Sequence, residues 1–337
     1  MRDFVAGLPK AELHMHIEGS MEPGLFLRLA RRNGVAIRWE TEEELSAAYR
    51  FDSLQDFLDL YYDGCRVLVK AEDFYDVTRD YLRRAHADRV LHTEMFLGTQ
   101  GHTSRGIALA TVMEGVLGAM DAARAEDGIS SGLIAVAQRH RSQEEGLAML
   151  EELRPWHDRL LGFGLGGAEV GNPPAKFAEF FRRCRDLGFK VVAHAGEEGP
   201  AAYVRESIEV LQVQRIDHGN TCVDDPALVA QLAASRVPLT MCPLSNLKLQ
   251  VVDTLVAHPL KRLLDAGLCV TVNSDDPSYF GGYVNDNYLA SAQALGLDRG
   301  DLVQLARNSF EASFIPEAQR RASLAAIDAW VAQHATH

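Results

Sequence analysis

Eight short apolar segments rich in β-branched residues alternate with longer amphipathic stretches, and no other feature of the chain limits its fold as much. The short segments are residues 12–17, 90–97, 133–139, 161–170, 190–195, 215–218, 237–241 and 269–274. Helical periodicity fills much of the space between them, at 105–125, 175–187, 203–211, 226–234 and 259–266. Strands joined by helices pair in parallel, and a parallel sheet needs both faces covered. Eight such units point to an α/β fold, a closed (β/α)8 barrel of the TIM type, rather than an open sheet. Two regions exceed a minimal barrel. Residues 22–87 form a helical insertion after the first strand, including 54–69, expected to cap the barrel mouth. The tail, 298–334, reads as two further helices. No repeat, low-complexity tract or Pro/Ser-rich linker divides the chain, so residues 1–337 are expected to form one domain.

The 337 residues are 47% hydrophobic, ample for such a core, and carry a formal net charge of -13. That charge argues against nucleic acid and anionic membranes as partners. Cys65, Cys184, Cys222, Cys242 and Cys269 are odd in number and scattered, with no CxxC pair. This suits a reducing cytoplasm and excludes both a disulfide framework and a cysteine-rich zinc module. No basic-then-apolar leader or bilayer-length apolar run is present, so a cytoplasmic protein without a membrane partner is expected.

In α/β barrels the chemistry sits at the carboxyl ends of the strands. His14-Met15-His16 lies in the first strand, where alternation puts both histidines on one face. Two imidazoles buried together need a partner for their nitrogens, which a divalent metal provides. His194 ends the fifth strand, with Glu197 three residues on; Asp217-His218-Gly219 ends the sixth and Asn273-Ser274-Asp275-Asp276-Pro277 the eighth. Singly, each has an ordinary explanation: a satisfied core histidine, a turn, or a helix start capped by Asp and opened by Pro. Jointly they place His and Asp at four strand ends, the pattern of a metal site. Catalytic zinc takes three protein ligands and keeps a position open for water. His14, His16 and His194 supply three nitrogens and Asp275 a carboxylate, leaving His218 and Glu197 for acid–base work. Iron or manganese remains an alternative ion. Ser245-Asn246 and the stretch Gly166-Gly167-Ala168-Glu169-Val170-Gly171 are candidate pocket wall.

His14-Met15-His16-Ile17-Glu18-Gly19, His194-Ala195-Gly196-Glu197, Asp217-His218-Gly219 and Ser274-Asp275-Asp276-Pro277 together resemble the adenosine deaminase family, a branch of the metal-dependent amidohydrolases. Glu169-Val170-Gly171-Asn172-Pro173-Pro174 and Cys242-Pro243-Leu244-Ser245-Asn246 are similar to its adenine deaminase subgroup. The resemblance covers nearly the whole chain. It implies zinc-dependent hydrolysis of a 6-aminopurine with release of ammonia, one zinc per subunit, and a role in purine salvage. It assigns the zinc to His14, His16, His194 and Asp275, protonation of ring N1 to Glu197, the water proton to His218 and Asp275, and N7 to Asp276. Adenosine-specific relatives usually carry Asp where this chain has Glu18, whose extra methylene would occupy the sugar's place. Glu169 and Gly171 are further candidates for substrate contact, Glu169 as acceptor of a free base's ring N–H. Adenine is therefore the expected substrate.

Two departures stand out. Adenine deaminases usually show Phe-Asp-Pro-Gln after the second strand and Asp-Ser-Ser-Glu after the fourth; here the residues are Leu97-Gly98-Thr99-Gln100 and Gly166-Gly167-Ala168-Glu169. The lost bulk keeps an N6-substituted adenine open as an alternative substrate, beside adenosine. A barrel hydrolase with a lysine-bridged metal pair lacks its lysine at a strand end, and a non-catalytic purine-binding protein would not need Glu197, His218 and Asp275 together. The sequence does not fix the oligomeric state.

Overall fold

Eight parallel strands run around the sheet in chain order, each paired with the next: β1 (Lys10–His16), β2 (Val90–Leu97), β3 (Ser130–Gln138), β4 (Gly162–Gly166), β5 (Lys190–Ala195), β6 (Arg215–His218), β7 (Leu239–Met241) and β8 (Val270–Val272). The computed structural model describes residues 1–51 and 54–334. Helices flank the strands, giving the expected (β/α)8 barrel. The fourth strand stops at Gly166 rather than running on to residue 170. Gly167 takes φ +94, a left-handed conformation that turns the chain off the ladder.

The seam between β8 and β1 is built differently from the other seven junctions. One isolated parallel bridge, Met15 to Asp275, joins the two ends. Its bonds are His16 N–H to Asp275 O at 2.8 Å and Asp275 N–H to His14 O at 3.0 Å. Lower on β1, side chains stand in for a partner strand: Ser309 Oγ accepts from Ala11 N–H at 2.8 Å and Asn273 Oδ1 from Leu13 N–H at 2.9 Å. Buried Glu12 accepts from Ser274 N–H at 3.0 Å and from the Tyr81 hydroxyl at 2.6 Å. The N–H groups of Ala11, Leu13, His16, Ser274 and Asp275 along the seam thus have their acceptors. The helix Arg299–Glu311 packs over β1 and β8, covering this junction.

Inside the barrel, Phe96, Ile134, Val136 and Val192 form an apolar plug beneath the strand ends. Below it, buried Arg215 pairs with Glu94 and lies 4.7 Å over the Phe314 ring. Outside, the strands' other faces pack against the surrounding helices in one continuous core. The 22–87 insertion contains the helices Pro23–Asn33, Glu42–Ala48, Leu54–Cys65 and Ala71–Ala87. The third of these places Phe57, Leu58, Tyr61, Tyr62 and Cys65 over the barrel mouth. No helix among the described residues is long and apolar enough to cross a membrane.

Candidate active site

Under the insertion, at the carboxyl ends of the strands, lies a cavity walled by the insertion's aromatic side chains on one side and the strand ends on the other. His16, Glu18, His194, Glu197, His218, Asp275 and Asp276 all line it. Two of these residues break the strand's in–out alternation. His218 has φ +71 and Asp275 φ +63, left-handed conformations that cost non-glycine residues ~1–3 kcal/mol. At both sites two consecutive side chains reach functional groups: Asp217 with His218, and Asp275 with Asp276.

The donor atoms for a cation converge here. Asp275 Oδ1 lies 3.3 Å from His14 Nε2 and 3.4 Å from His16 Nε2, and His16 Nε2 lies 3.1 Å from His194 Nε2. Tetrahedral ligands ~2.0–2.1 Å from zinc lie ~3.3 Å from one another, so the spacing fits. Tautomers fit as well. His14 Nδ1 faces the Thr240 carbonyl at 3.1 Å and must carry the proton, leaving a bare lone pair on Nε2. That Nε2 is buried without a hydrogen-bond partner. His194 Nδ1 lies 3.3 Å from Asp217, which leaves its Nε2 facing the cluster. Burial, reinforced by the neighbouring histidines against the pull of Asp275, pushes His16 down to about 3, so its ring is neutral and free to ligate. Ser245 Oγ donates to Asp275 Oδ2 at 2.7 Å, orienting the carboxylate.

Glu197 faces the same space. Burial, then the charges of Asp275 and Glu169, raise its carboxyl well above the usual range, which favours the protonated form that a proton donor needs. His218 Nε2 stands 3.6 Å from Glu197 Oε2 and 3.9 Å from Asp275 Oδ2. Burial, then the neighbouring His14, keeps His218 neutral, able to accept a proton. Asp276 is raised by burial and by Asp275, and its Oδ1 is buried without a partner.

Glu18 is the mirror case. Its Oε1 accepts from Gly98 N–H at 3.0 Å and from His102 Nε2 at 2.9 Å. Arg105 lies 2.9 Å from His102 Nδ1 and can only donate, so the His102 proton sits on Nε2 and points at Glu18. Burial pushes Glu18 up, but the hydrogen bond and charge of His102 outweigh it and hold the carboxyl below its ordinary value. Glu18 Oε2 is buried, anionic and without a partner.

Two sequence-predicted contacts lie elsewhere. Glu169 does not line the cavity: its oxygens accept from the backbone N–H groups of Gly196, Glu197, Glu198 and Gly199 at 2.7–3.0 Å. Gly171 is exposed, with φ +80, and a Cβ there would point into open space. The turn at Gly167 carries both away from the mouth. Ser245 and Asn246 are braces rather than wall, Asn246 linking His258 (3.1 Å) to His218 (3.5 Å). In the sequence, Asp217 has a place in a strand-end motif but no role of its own, and neither Thr240 nor Arg139 is singled out. Asp217 orients His194, and Thr240 Oγ1 in turn donates to Asp217 at 3.0 Å. Two charges, Arg215 and Asp217, alternating in an otherwise short apolar strand were the available signal for an inward-facing pair.

A model of the adenosine deaminase family matches residues 9–330. Adenine deaminase of Rhodopseudomonas palustris is 56% identical over 335 residues, covering 99% of this chain and 98% of its own. The crystal structure of adenine deaminase from Arthrobacter aurescens superposes with a TM-score of 0.95 at 46% identity, covering 96% of this chain and 99% of that one. An amidohydrolase from Burkholderia ambifaria, solved with bound Zn, superposes at 0.91 with 27% identity over 100% of this chain and 95% of its own.

Proposed function

The chain belongs to the adenosine deaminase family, hydrolases of C–N bonds in cyclic amidines, and on that premise we propose that it converts free adenine and water to hypoxanthine and ammonia. The observation that carries the choice of a free base is Glu18 Oε2, an unpartnered anionic acceptor facing the cavity. A free purine base has an imidazole-ring N–H to give it; a nucleoside has a sugar on that nitrogen. The adenine deaminase names of the relatives support the same substrate.

His14, His16, His194 and Asp275 would hold zinc, the ion bound in the Burkholderia relative. Zinc there would acidify the attacking water towards a pKa of ~7. The remaining steps belong to side chains. Protonated Glu197 donates to N1, so that electrons displaced from C6 by the incoming oxygen have a place to go. Asp275 and His218 take the water's proton and pass it to the departing amine. The C6–O bond forms, the C6–N6 bond breaks, N1 keeps its proton in hypoxanthine, and the second water proton, left on the C6 oxygen, returns to Glu197 as the carbonyl forms. Asp276, whose protonated form burial favours and whose Oδ1 has no other partner, donates to N7. The five cysteines are all unpaired, which suits a reducing cytoplasm, and the proposed reaction would serve purine salvage there.

A second substrate, adenine carrying an N6 substituent, is favoured by one feature. Gly98, Gly166 and Gly167 leave the wall without side chains, and a Cβ at 166 would lie 3.6 Å from the ring of His194, one of the residues assigned to the metal. Hypoxanthine formation from adenine, N6-methyladenine and N6-isopentenyladenine, with inosine formation from adenosine, separates the readings. Adenine is expected to be turned over fastest among these. Preference for adenosine would sink the free-base assignment, and turnover of none would sink deamination itself.

A further inference from the structure

We propose that Glu169 is a positioning residue for catalysis: its carboxylate gathers the loop 196–199 and thereby fixes where Glu197 delivers its proton. The inference rests on the reading of Glu197 as proton donor. Four consecutive backbone amides converge on one side chain, Gly196 at 2.7 Å to Oε1 and Glu197, Glu198 and Gly199 at 3.0, 2.9 and 2.8 Å to Oε2. One of the four is the amide of Glu197 itself. Such a concave set of N–H groups is an anion-binding nest, here filled by the protein's own carboxylate.

The glycines of the loop show how closely the chain must wrap. A Cβ at Gly199 would lie 2.6 Å from Glu169 Cδ, and one at Gly196, which has φ +70, 2.6 Å from Val204 Cγ2. The loop's carbonyls are held from the other side, Gly199 O by Thr221 Oγ1 at 2.8 Å and Gly196 O by Thr221 N–H at 3.1 Å. Arg139 ties the Glu169 segment to the metal-ligand strand. It donates to His194 O at 2.8 Å and twice to Asn172 O at 3.0 and 2.9 Å, and its guanidinium stands 3.9 Å from Glu169. Glu169 touches no reacting group itself; it reaches the chemistry through the backbone that bears Glu197 and through the charge it places near that carboxyl. A general acid must stand within hydrogen-bond reach of the atom it protonates, and a misplacement of ~1 Å costs about 10²-fold in rate.

The test is a double-mutant cycle on the zinc-loaded enzyme with adenine, measuring kcat, KM and zinc per subunit in Glu169→Gln, Glu197→Gln and the double variant. In Glu169→Gln an amide N–H2 replaces one acceptor of the nest. The expected result is a fall in kcat of about 10²-fold, with KM and zinc content unchanged, and no further loss from Glu169→Gln once Glu197→Gln is present. Glu169→Asp, which keeps the charge but withdraws it by one methylene, should fall between the parent and Glu169→Gln; it serves in the cycle if Glu169→Gln does not fold. An equal loss in both backgrounds, or a loss expressed in KM or zinc content, overturns the positioning role while leaving Glu197 as donor. A near-parental rate in Glu197→Gln alone overturns the donor reading, and the anchor with it.

Discussion

Replacing Glu18 by Gln tests the basis of base selection with a change of a single atom. The outcome follows from the fixed partners of the carboxylate. Gly98 N–H and the His102 Nε2–H both demand an acceptor at Oε1. The glutamine oxygen is therefore held there, and its N–H2 takes the place of Oε2. The cavity then presents a donor to a substrate N–H where it had presented an anion. A hydrogen bond to a charged group contributes ~1.5–3 kcal/mol, or ~10- to 150-fold in kcat/KM, and opposing donors put the loss at the upper end of that range. The assay is hypoxanthine formation from adenine beside deamination of 9-methyladenine, which has no N9–H to offer. The variant should lose most of its kcat/KM for adenine, little of its weak rate on 9-methyladenine, and hence most of the parent's discrimination. Equal losses on both substrates would place Glu18 in general packing, and a loss on adenine of less than about threefold would refute the acceptor role outright.

Asp217→Asn removes the carboxylate that orients His194, and zinc affinity measured by chelator competition should weaken ~10- to 100-fold. Gly166→Ser adds bulk where a Cβ already meets Val136 Cγ1 at 2.9 Å; hypoxanthine formation from N6-isopentenyladenine should fall ~10- to 200-fold relative to adenine, and an unchanged ratio would mean that substituents do not lie there. Lys10, wholly buried at the opposite end of the barrel with its Nζ on Asp88 O at 2.8 Å, is pushed by burial down to about 7. The folded pKa is lowered, so between about 7 and ~10.4 the unfolded chain binds the extra proton and stability rises with pH. Lys10→Met should therefore gain thermal stability relative to the parent most at pH 6 to 7 and progressively less by pH 10, as followed by the two melting midpoints; a pH-independent difference would contradict the linkage.

The barrel was legible because strand–helix alternation repeats eight times, and the four converging donors because their residue types recur at strand ends. Periodicity could not supply the places where the chain leaves its period. His218 and Asp275 contribute neighbours on both sides of an alternation because each adopts a left-handed backbone, and nothing in Asp217-His218 announces that. Glu169 looked like pocket wall because a strand continuing to 170 would have carried it there. The chain instead turns at Gly167, and its carboxylate meets amides distant in sequence. Arg139 escaped notice for a related reason: its partners are backbone carbonyls, which leave no trace in residue types.

The β1–β8 seam gives the donor cluster a mechanical meaning. Elsewhere the barrel is held by ladders, but here one backbone bridge joins the two ends, and its residues are Met15, flanked by His14 and His16, and Asp275. A cation gripping those side chains would act as the pin of a buckle, clamping the hoop at its weakest stave. Stripping it away would leave the His16 and Asp275 amides as the seam's backbone bonds, beside the Leu13–Asn273 and Glu12–Ser274 side-chain bonds, and exchange of those two amides with solvent deuterium would report whether the pin is in place.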